Sequence, residues 1–356
     1  MPTKPLNIRQ LASLLDVTPG TVSRALNDAP GVSVATRERV AALAAQMKYS
    51  PRPFRRLRTD SIGFLVSSSI ADNDSDGFLA RMITTAAQCC SRRNLYLHVD
   101  YWDGAGEAAL PAAVSNNRVD GVLLAGYPPA GLCGLLRREG TPALVLHDSA
   151  MRTGLPCVLP NNFRAMHELT AGLLRQGRRL PAILLSDRRY PSVEHRYRGY
   201  CNALEDAGMH PDPALCVEGL SPGLDGGGNG VRMMLGRGVQ PDAILCVNDE
   251  VAIGAMLELA RRGIAVPAAV AVSGADDSHQ SRVVEPSLTT IAAPWQATIN
   301  LALDHLLAWI GAVARAPAVA DYVTDAKVIW RDSTKGPNEQ ADLRVGCDEV
   351  FEQGRR

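Results

Sequence analysis

From Ile62 onward, short apolar runs alternate with segments of helical spacing, and that alternation restricts the architecture more than any other feature of the chain. The runs are IGFLVS at 62–67, LYLHVDY at 95–101, DGVLLAG at 120–126, PALVLHD at 142–148, PAILLSD at 181–187, DAILCVND at 242–249 and VAVSGADD at 270–277. Helical patterns fall at 78–93, 106–117, 162–176, 194–207, 229–237 and 249–262. Near-continuous apolar strands are those buried on both faces, so alternation of this kind predicts parallel sheets covered by helices, an α/β fold. The strand pattern restarts near Pro160, which predicts two similar lobes enclosing a ligand cleft.

The first sixty residues have a different texture. In NIRQLASLLDVTPGTVSRALN, residues 7–27, Ile8, Leu11, Ala12 and Leu15 recur at helical spacing behind Asn7, a capping residue that Gln10 can reach back to. Asp16 and Val17 turn the chain, Thr18 offers a hydroxyl cap, and Pro19 stands at a first helical position, where its missing N–H costs nothing. A second helix then runs to about Asn27, with Val22, Ala25 and Leu26 facing inward. Pro19, Gly20, Thr21, Ser23 and Arg24 are left on its N-terminal and outer side, where small, polar and basic residues can enter a major groove. Ser33 caps a third helix whose Val34, Val40, Leu43, Ala44 and Met47 form an apolar face. A two-helix corner is also a common packing motif, but three short helices close a small all-α core.

Charge supports a nucleic-acid partner for this head. The whole chain of 356 residues is formally neutral, yet residues 1–60 hold ten Lys or Arg against four Asp or Glu. A basic head on a mildly acidic body suits a phosphate backbone. The eight cysteines form no C-x-x-C and no zinc-like spacing with histidine, so they read as buried or inert thiols. The N-terminus has no apolar signal core and no run of 18 apolar residues occurs, which predicts a cytoplasmic protein.

Between Tyr49 and Ser61 the sequence YSPRPFRRLRTDS reads as a linker. Its arginines either form a solvated tether or neutralise phosphates while an apolar side chain wedges between base steps. In the body, polar residues end several strands: Ser67 to Ser69, Asp100, His147 and Asp148, Asn248 and Asp249, Asp276 and Asp277. Ligands of open parallel sheets bind beyond the carboxyl ends of strands, and a polyhydroxylated ligand needs converging carboxylates and amides. Each such residue also suits a helix cap or turn. Arg196, near the start of a helix, can fork onto a hydroxyl pair or carboxylate of a ligand or form a surface or interlobe ion pair.

Catalytic and cofactor signatures are weak. No G-x-G-x-x-G follows the first strand, the run GLDGGGNG at 223–230 lacks a P-loop ending and reads as a mobile loop entering a helix, and no G-x-S-x-G or H-E-x-x-H occurs. No cofactor, metal or catalytic residue is assigned. The tail from Lys335 to Arg356 is polar, with too few apolar residues for a coiled coil.

The segments DVTPGTVSRALN and VSVATRERVAALAAQMKYSP, with DGVLLAG, RYRGYCNAL, CVNDEVAIGAM, VAVSGADD, PSLTTIAAP and WRDST in that order, resemble the lac repressor family of bacterial transcription regulators over residues 6–334. The resemblance implies a helix-turn-helix DNA-binding domain at 1–50, a hinge at 51–60 and an effector-binding, dimerising body at 61–334 that is periplasmic-binding-protein-like. It implies a first lobe at about 61–159 and 288–317, a second at about 160–287 and 318–334, and a polar tail at 335–356. It further implies a homodimer on a double-stranded operator, most readily a repressor, with a small polar effector, a sugar or sugar derivative, in the cleft.

By similarity, Thr18, Pro19, Gly20, Thr21, Ser23, Arg24, Asn27, Arg55, Arg56 and Leu57 face DNA, with Leu57 as the minor-groove wedge. Ser69, Phe78, Asp148, Arg196, Asn248 and Asp276 match effector-binding positions. Departures from the family pattern are Pro19 and Gly20 at the reading tip, a hinge shorter by one residue, and Ala275 with Leu220 and Ser221 where an aromatic stacks on sugar. PNN at 160–162 is a further departure. The competing readings are a solute-binding module without regulatory output and an enzyme acting on a sugar or nucleoside.

Overall fold

The computed structural model describes residues 8–26, 31–47, 59–67, 77–102, 110–310 and 316–336. Asn7, Asn27, Arg55, Arg56, Leu57 and Ser69 lie outside them, as do the linker up to Arg58, most of the loop after the first strand, and the tail beyond Gly336. The chain divides into two compact units, Met1–Arg58 and Thr59–Arg356.

The first unit contains α1 (Ile8–Leu15), α2 (Pro19–Leu26) and α3 (Val34–Gln46). Leu11, Ala12, Val22, Ala25, Val40 and Ala44 form its core, with Leu15, Val17, Leu26, Val32 and Leu43 packed around it. The turn between α1 and α2 closes through the Val17 N–H onto the Ala12 carbonyl at 3.0 Å, with Asp16 in the left-handed region at φ 53°. Thr18 accepts from the Thr21 N–H at 3.1 Å and Ser33 from the Thr36 N–H at 3.2 Å, so both caps form as their residue types predict. The third helix differs from expectation at its ends. Val34 is 71% exposed and Met47 is also exposed, because the first helical residue and the C-cap both project past the small core.

The second unit is built on two six-stranded sheets. The first has the order β11-β5-β4-β3-β1-β2, with β1 Ser61–Ser67, β2 Tyr96–Trp102, β3 Gly121–Ala125, β4 Ala143–Leu146, β5 Cys157–Pro160 and β11 Asp321–Thr324. The second has the order β12-β10-β9-β8-β6-β7, with β6 Pro181–Leu184, β7 Cys216–Val217, β8 Ala243–Cys246, β9 Ala271–Ala275, β10 Thr289–Ala292 and β12 Lys327–Ile329. All pairings are parallel except β12 on β10. Helices α4 (Phe78–Ser91), α5 (Ala130–Arg138) and α10 (Trp295–Ile310) belong with the first sheet. The second sheet carries α6 (Asn162–Arg175), α7 (Pro191–Asp206), α8 (Leu224–Gly236) and α9 (Asp249–Arg261). Strands β3, β4, β6, β8 and β9 are buried along their whole length, the outcome of covering both faces with helices.

Two expectations need correction. Residues 288–292 belong to the second lobe, because β10 pairs with β9, and Asp321–Thr324 returns to the first, because β11 pairs with β5. The later crossings therefore lie between β10 and α10 and between β11 and β12. The second correction concerns the glycine run, which is helical from Leu224 rather than a loop. A Cβ on Gly227 would sit 1.9 Å from the Val251 carbonyl oxygen, and one on Gly254 would sit 1.9 Å from that of Leu224. The glycines let α8 and α9 meet backbone to backbone. Among the described residues, no helix is long and apolar enough to cross a membrane.

Candidate functional site

In the head, Thr18, Pro19, Gly20 and Arg24 are exposed and Thr21 and Ser23 half-buried, while Val22 and Ala25 point inward. One side of α2 is thus committed to the core and the other is presented outward. The Thr18 and Thr21 hydroxyls share a hydrogen bond of 2.9 Å, and Arg24 lies along the helix with Nε on the Gly20 carbonyl at 3.3 Å. A Cβ added at Gly20 would meet nothing closer than the Thr18 hydroxyl at 3.7 Å, so its bareness is a surface property rather than a packing need.

In the body, the C-terminal ends of the strands bring most of the described effector candidates together. Arg196, 6% exposed on α7, donates through Nε to Asn162 Oδ1 at 3.0 Å, through Nη1 to the Val247 carbonyl and through Nη2 to Asp276 Oδ1 at 3.4 Å. The ion pair that Arg196 makes is neither at the surface nor between lobes: it is buried and lies within the second lobe. Asn248, next to Val247, caps α9 by accepting from the Val251 N–H at 2.8 Å, and its Nδ2 donates to the Pro222 carbonyl. Asp276 has φ 117° and its N–H is fixed on the Ile291 carbonyl at 2.8 Å.

Phe78 begins α4 and faces two further rings. Its centroid lies 5.8 Å from that of His147 and 5.2 Å, edge-on, from that of Trp295; His147 and Trp295 are 5.5 Å apart. Burial and the Arg196 charge push the His147 imidazole down to about 3, so it is neutral at physiological pH. Its Nδ1 and the Trp295 Nε1 are buried without a hydrogen-bond partner among the described residues. All three rings come from first-lobe elements, whereas Ala275, Leu220 and Ser221 lie in the second lobe.

Asp148 is fully buried and engaged locally, accepting from the Ser149 N–H at 2.7 Å and from Arg152 through both Nε, at 3.0 Å, and Nη2. Arg152 in turn lies over the Tyr127 ring, 5.5 Å from its centroid. Two other strand-end carboxylates are also held internally. Asp249 is fully buried, accepting from Thr290 Oγ1 at 2.5 Å and the Ser278 N–H at 2.7 Å; burial raises its carboxyl to about 6 against the pull of these bonds. Burial alone would raise Asp277 too, but Arg331 and Arg282 hold it below the usual carboxylate range. Asp100 lies within edge strand β2 and bonds the Tyr101 N–H.

Reading the sequence alone missed Arg81, Tyr127, Arg152 and Trp295. Arg81 stands three residues after Phe78 and so shares a helix face with it, which was the available signal. The other three are recognisable only from their contacts across the fold. A separate surface depression of about 440 Å³, lined by Gly172, Arg175, Gln176, Trp330, Arg331, Thr334 and Lys335, shares none of the cleft residues.

A helix-turn-helix head followed by a two-sheet body of the periplasmic-binding-protein type is an architecture suited to a ligand-responsive, DNA-binding regulator. Residues 7–52 match the family described as bacterial regulatory proteins, lacI family, and residues 170–334 match the periplasmic binding protein-like domain. The head thus matches the lacI family model, and along most of its length the chain is similar to regulators of that family. It is 28% identical to the HTH-type transcriptional regulator GalR of Salmonella typhimurium over 346 residues, covering 94% of this chain and 98% of that one. It is 26% identical to the ribose operon repressor of Haemophilus influenzae, covering 84% and 90% respectively. Among solved structures, a transcriptional regulator CelR–cellobiose complex matches with a TM-score of 0.68 at 25% identity, covering 92% of this chain and 99% of that one. These relatives are regulators rather than enzymes.

Proposed function

We propose that this regulator is a cytoplasmic, homodimeric repressor whose operator affinity is set by a small polar effector, sugar or sugar-like, held between its lobes. The observation that carries the reading is the arrangement around Arg196 and Asp276. A polar pair on one lobe, supported by Asn162, lies near enough for the Arg196 charge to act on His147, which groups with Phe78 and Trp295 on the other. A sugar ring has the complementary faces, an apolar surface of C–H groups and a rim of hydroxyls that need partners when buried. The relatives that are a ribose operon repressor and a cellobiose complex support this chemical class.

On the DNA side, the proposed contacts are Thr18, Pro19, Gly20, Thr21, Ser23 and Arg24 on the outer side of α2, with Asn27, Arg55, Arg56 and Leu57 carried over from the family pattern alone. Arg24 is the chief base-reading candidate, since a guanidinium is well suited to a bidentate contact with guanine. In the body, Arg196, Asp276, Asn248 and Phe78 are the proposed effector contacts, Asp148 acts through Arg152, and Ser69 rests on the family pattern. The effector selects one lobe arrangement, and operator affinity follows the population of that arrangement.

The test separates the two sites. Arg24→Ala weakens binding to an operator selected from random DNA while leaving sugar-induced thermal stabilisation intact; Arg196→Ala abolishes that stabilisation and leaves ligand-free operator binding measurable. Loss of both activities in either single variant, with folding preserved, contradicts the division of labour.

A further inference from the structure

Two side chains of the first lobe reach across to the second, one on each flank of the cleft. On one flank Arg81, from α4, donates through Nη1 to the Asp277 carbonyl at 2.8 Å and through Nη2 to the Asp276 carbonyl at 3.1 Å. On the other, the Tyr127 hydroxyl bonds Ser192 Oγ at 3.3 Å and its ring lies 4.2 Å from that of Tyr190. Each landing point adjoins a proposed effector residue. Asp276 gives its carbonyl to Arg81 and its carboxylate to Arg196. Ser192 stands on α7 one turn before Arg196.

From this geometry we infer that Arg81 and Tyr127 are positioning residues that set the angle between the lobes, so that occupancy of the effector site is transmitted through them. The inference deepens the effector reading above and rests on it. The receiving turn is rigid enough to transmit a shift. Asp276 and Asp277 hold successive positive φ angles of 117° and 48°, conformations that persist only where neighbours impose them. Here the Ile291 carbonyl, the Thr290 hydroxyl, Arg282 and Arg331 all do so. The Asp276 carboxylate that meets Arg196 and the carbonyls that Arg81 holds thus belong to one fixed turn.

The opposite flank is fixed from the first-lobe side. Arg152 covers the Tyr127 ring, is clamped by Asp148 and donates to the Pro128 carbonyl at 3.1 Å. This gives buried Asp148 a role without direct ligand contact, since it aligns the arginine that positions Tyr127. Burial also pushes the Tyr127 phenol well above its ordinary value, so the hydroxyl keeps its proton throughout the working pH range.

The experiment compares the full chain with Arg81→Ala, Tyr127→Phe, the double variant, and Arg93→Ala as a control. Arg93 also lies close to α4 but bonds Asn300 and Asp304 within its own lobe. Hydrogen exchange is followed by mass spectrometry without added ligand, and operator affinity is measured on DNA selected by the wild-type protein. Removing charged donor bonds shifts a local opening equilibrium by roughly tenfold or more, so exchange in peptides spanning 186–193 and 274–278 rises by about that factor in Arg81→Ala and further in the double variant. Arg93→Ala leaves those peptides unchanged. Operator affinity of the double variant shifts by about fivefold or more, the scale of an ordinary allosteric coupling.

Exchange no faster than in the control overturns the assignment of Arg81 and Tyr127. Faster exchange with unchanged operator affinity overturns the claim that occupancy is transmitted through them. Wild-type protein whose operator affinity responds to no sugar, while the variants still exchange faster, overturns the effector reading and leaves the interlobe contacts supported. Circular dichroism and Arg81→Lys, which keeps the charge and has an intermediate effect, separate these outcomes from misfolding.

Discussion

Arg196 and Asn162 are joined by a hydrogen bond of 3.0 Å between two almost fully buried side chains, which ties α7 to the first residue of α6. Asn162 itself donates to the Pro160 carbonyl, so its amide bridges the end of β5 and the guanidinium. Asn162→Ala leaves a buried Nε–H without an acceptor, a loss of about 1–3 kcal/mol. Sugar affinity falls with it, because the fork facing Asp276 loses its anchor, while Asn162→Asp restores an acceptor and recovers most of the binding. Urea denaturation and calorimetric titration of the three proteins check both effects.

The buried carboxyl of Asp249 gives the body a pH signature of its own. Its folded value of about 6 lies above the ordinary 3.8, so the folded state holds this proton more tightly than the unfolded chain. The resulting stabilisation is complete below about pH 4 and is lost as the pH rises through about 6, amounting to about 3 kcal/mol at most. Asn at this position keeps an oxygen for the Ser278 N–H and offers an amide to Thr290. Asp249→Asn therefore removes this contribution, and the difference between wild-type and variant stability, measured by urea denaturation from pH 4 to 7.5, declines across that window.

The seam between α8 and α9 admits no side chain at its two closest points. At Gly227 and Gly254 an added Cβ would overlap a backbone carbonyl oxygen rather than a movable side chain, so relief requires separating the helices. Gly227→Ala and Gly254→Ala each destabilise the body by about 3 kcal/mol or more, at or above the upper end for overpacking. Gly236→Ala, on the same helix with open space at its Cβ, serves as the neutral reference. Thermal unfolding of the three variants orders them.

That seam also shows where legibility ended. Strongly apolar strands such as β3, β4, β6 and β8 are readable because burial on both faces writes a continuous apolar run. The strand at Asp321–Thr324 is as long as β4 but lies at a sheet edge and is half exposed, so its residues carry no such run, and the expected place where the chain changes lobes is displaced accordingly. Glycines at 226–228 look like loop punctuation until the facing helix explains them. In the site, Arg196, Asp276 and Phe78 stood out through motif resemblance. Arg81 and Tyr127 matter because of the carbonyls and hydroxyl opposite them, and no local pattern encodes a partner in the other lobe.

The head offers a test in which stability and charge can be told apart. Thr18 accepts from the Thr21 N–H and shares a hydroxyl hydrogen bond with Thr21, so it holds the first turn of α2 in place beneath the outward-facing residues. Thr18→Ala removes the cap at a cost of about 1 kcal/mol, and Thr18→Ser retains it. With six buried side chains in its core among the described residues, that loss raises the unfolded fraction of the head and weakens operator binding for every sequence alike. No charge is removed, so the dependence of affinity on salt keeps its slope. Arg24→Ala behaves differently: it lowers affinity most for the preferred sequence, and where the guanidinium also meets a phosphate it reduces the salt slope by about one. Gel shifts of both variants across a salt series distinguish a capping residue from a contacting one, and a change of slope in Thr18→Ala contradicts the role assigned to its hydroxyl.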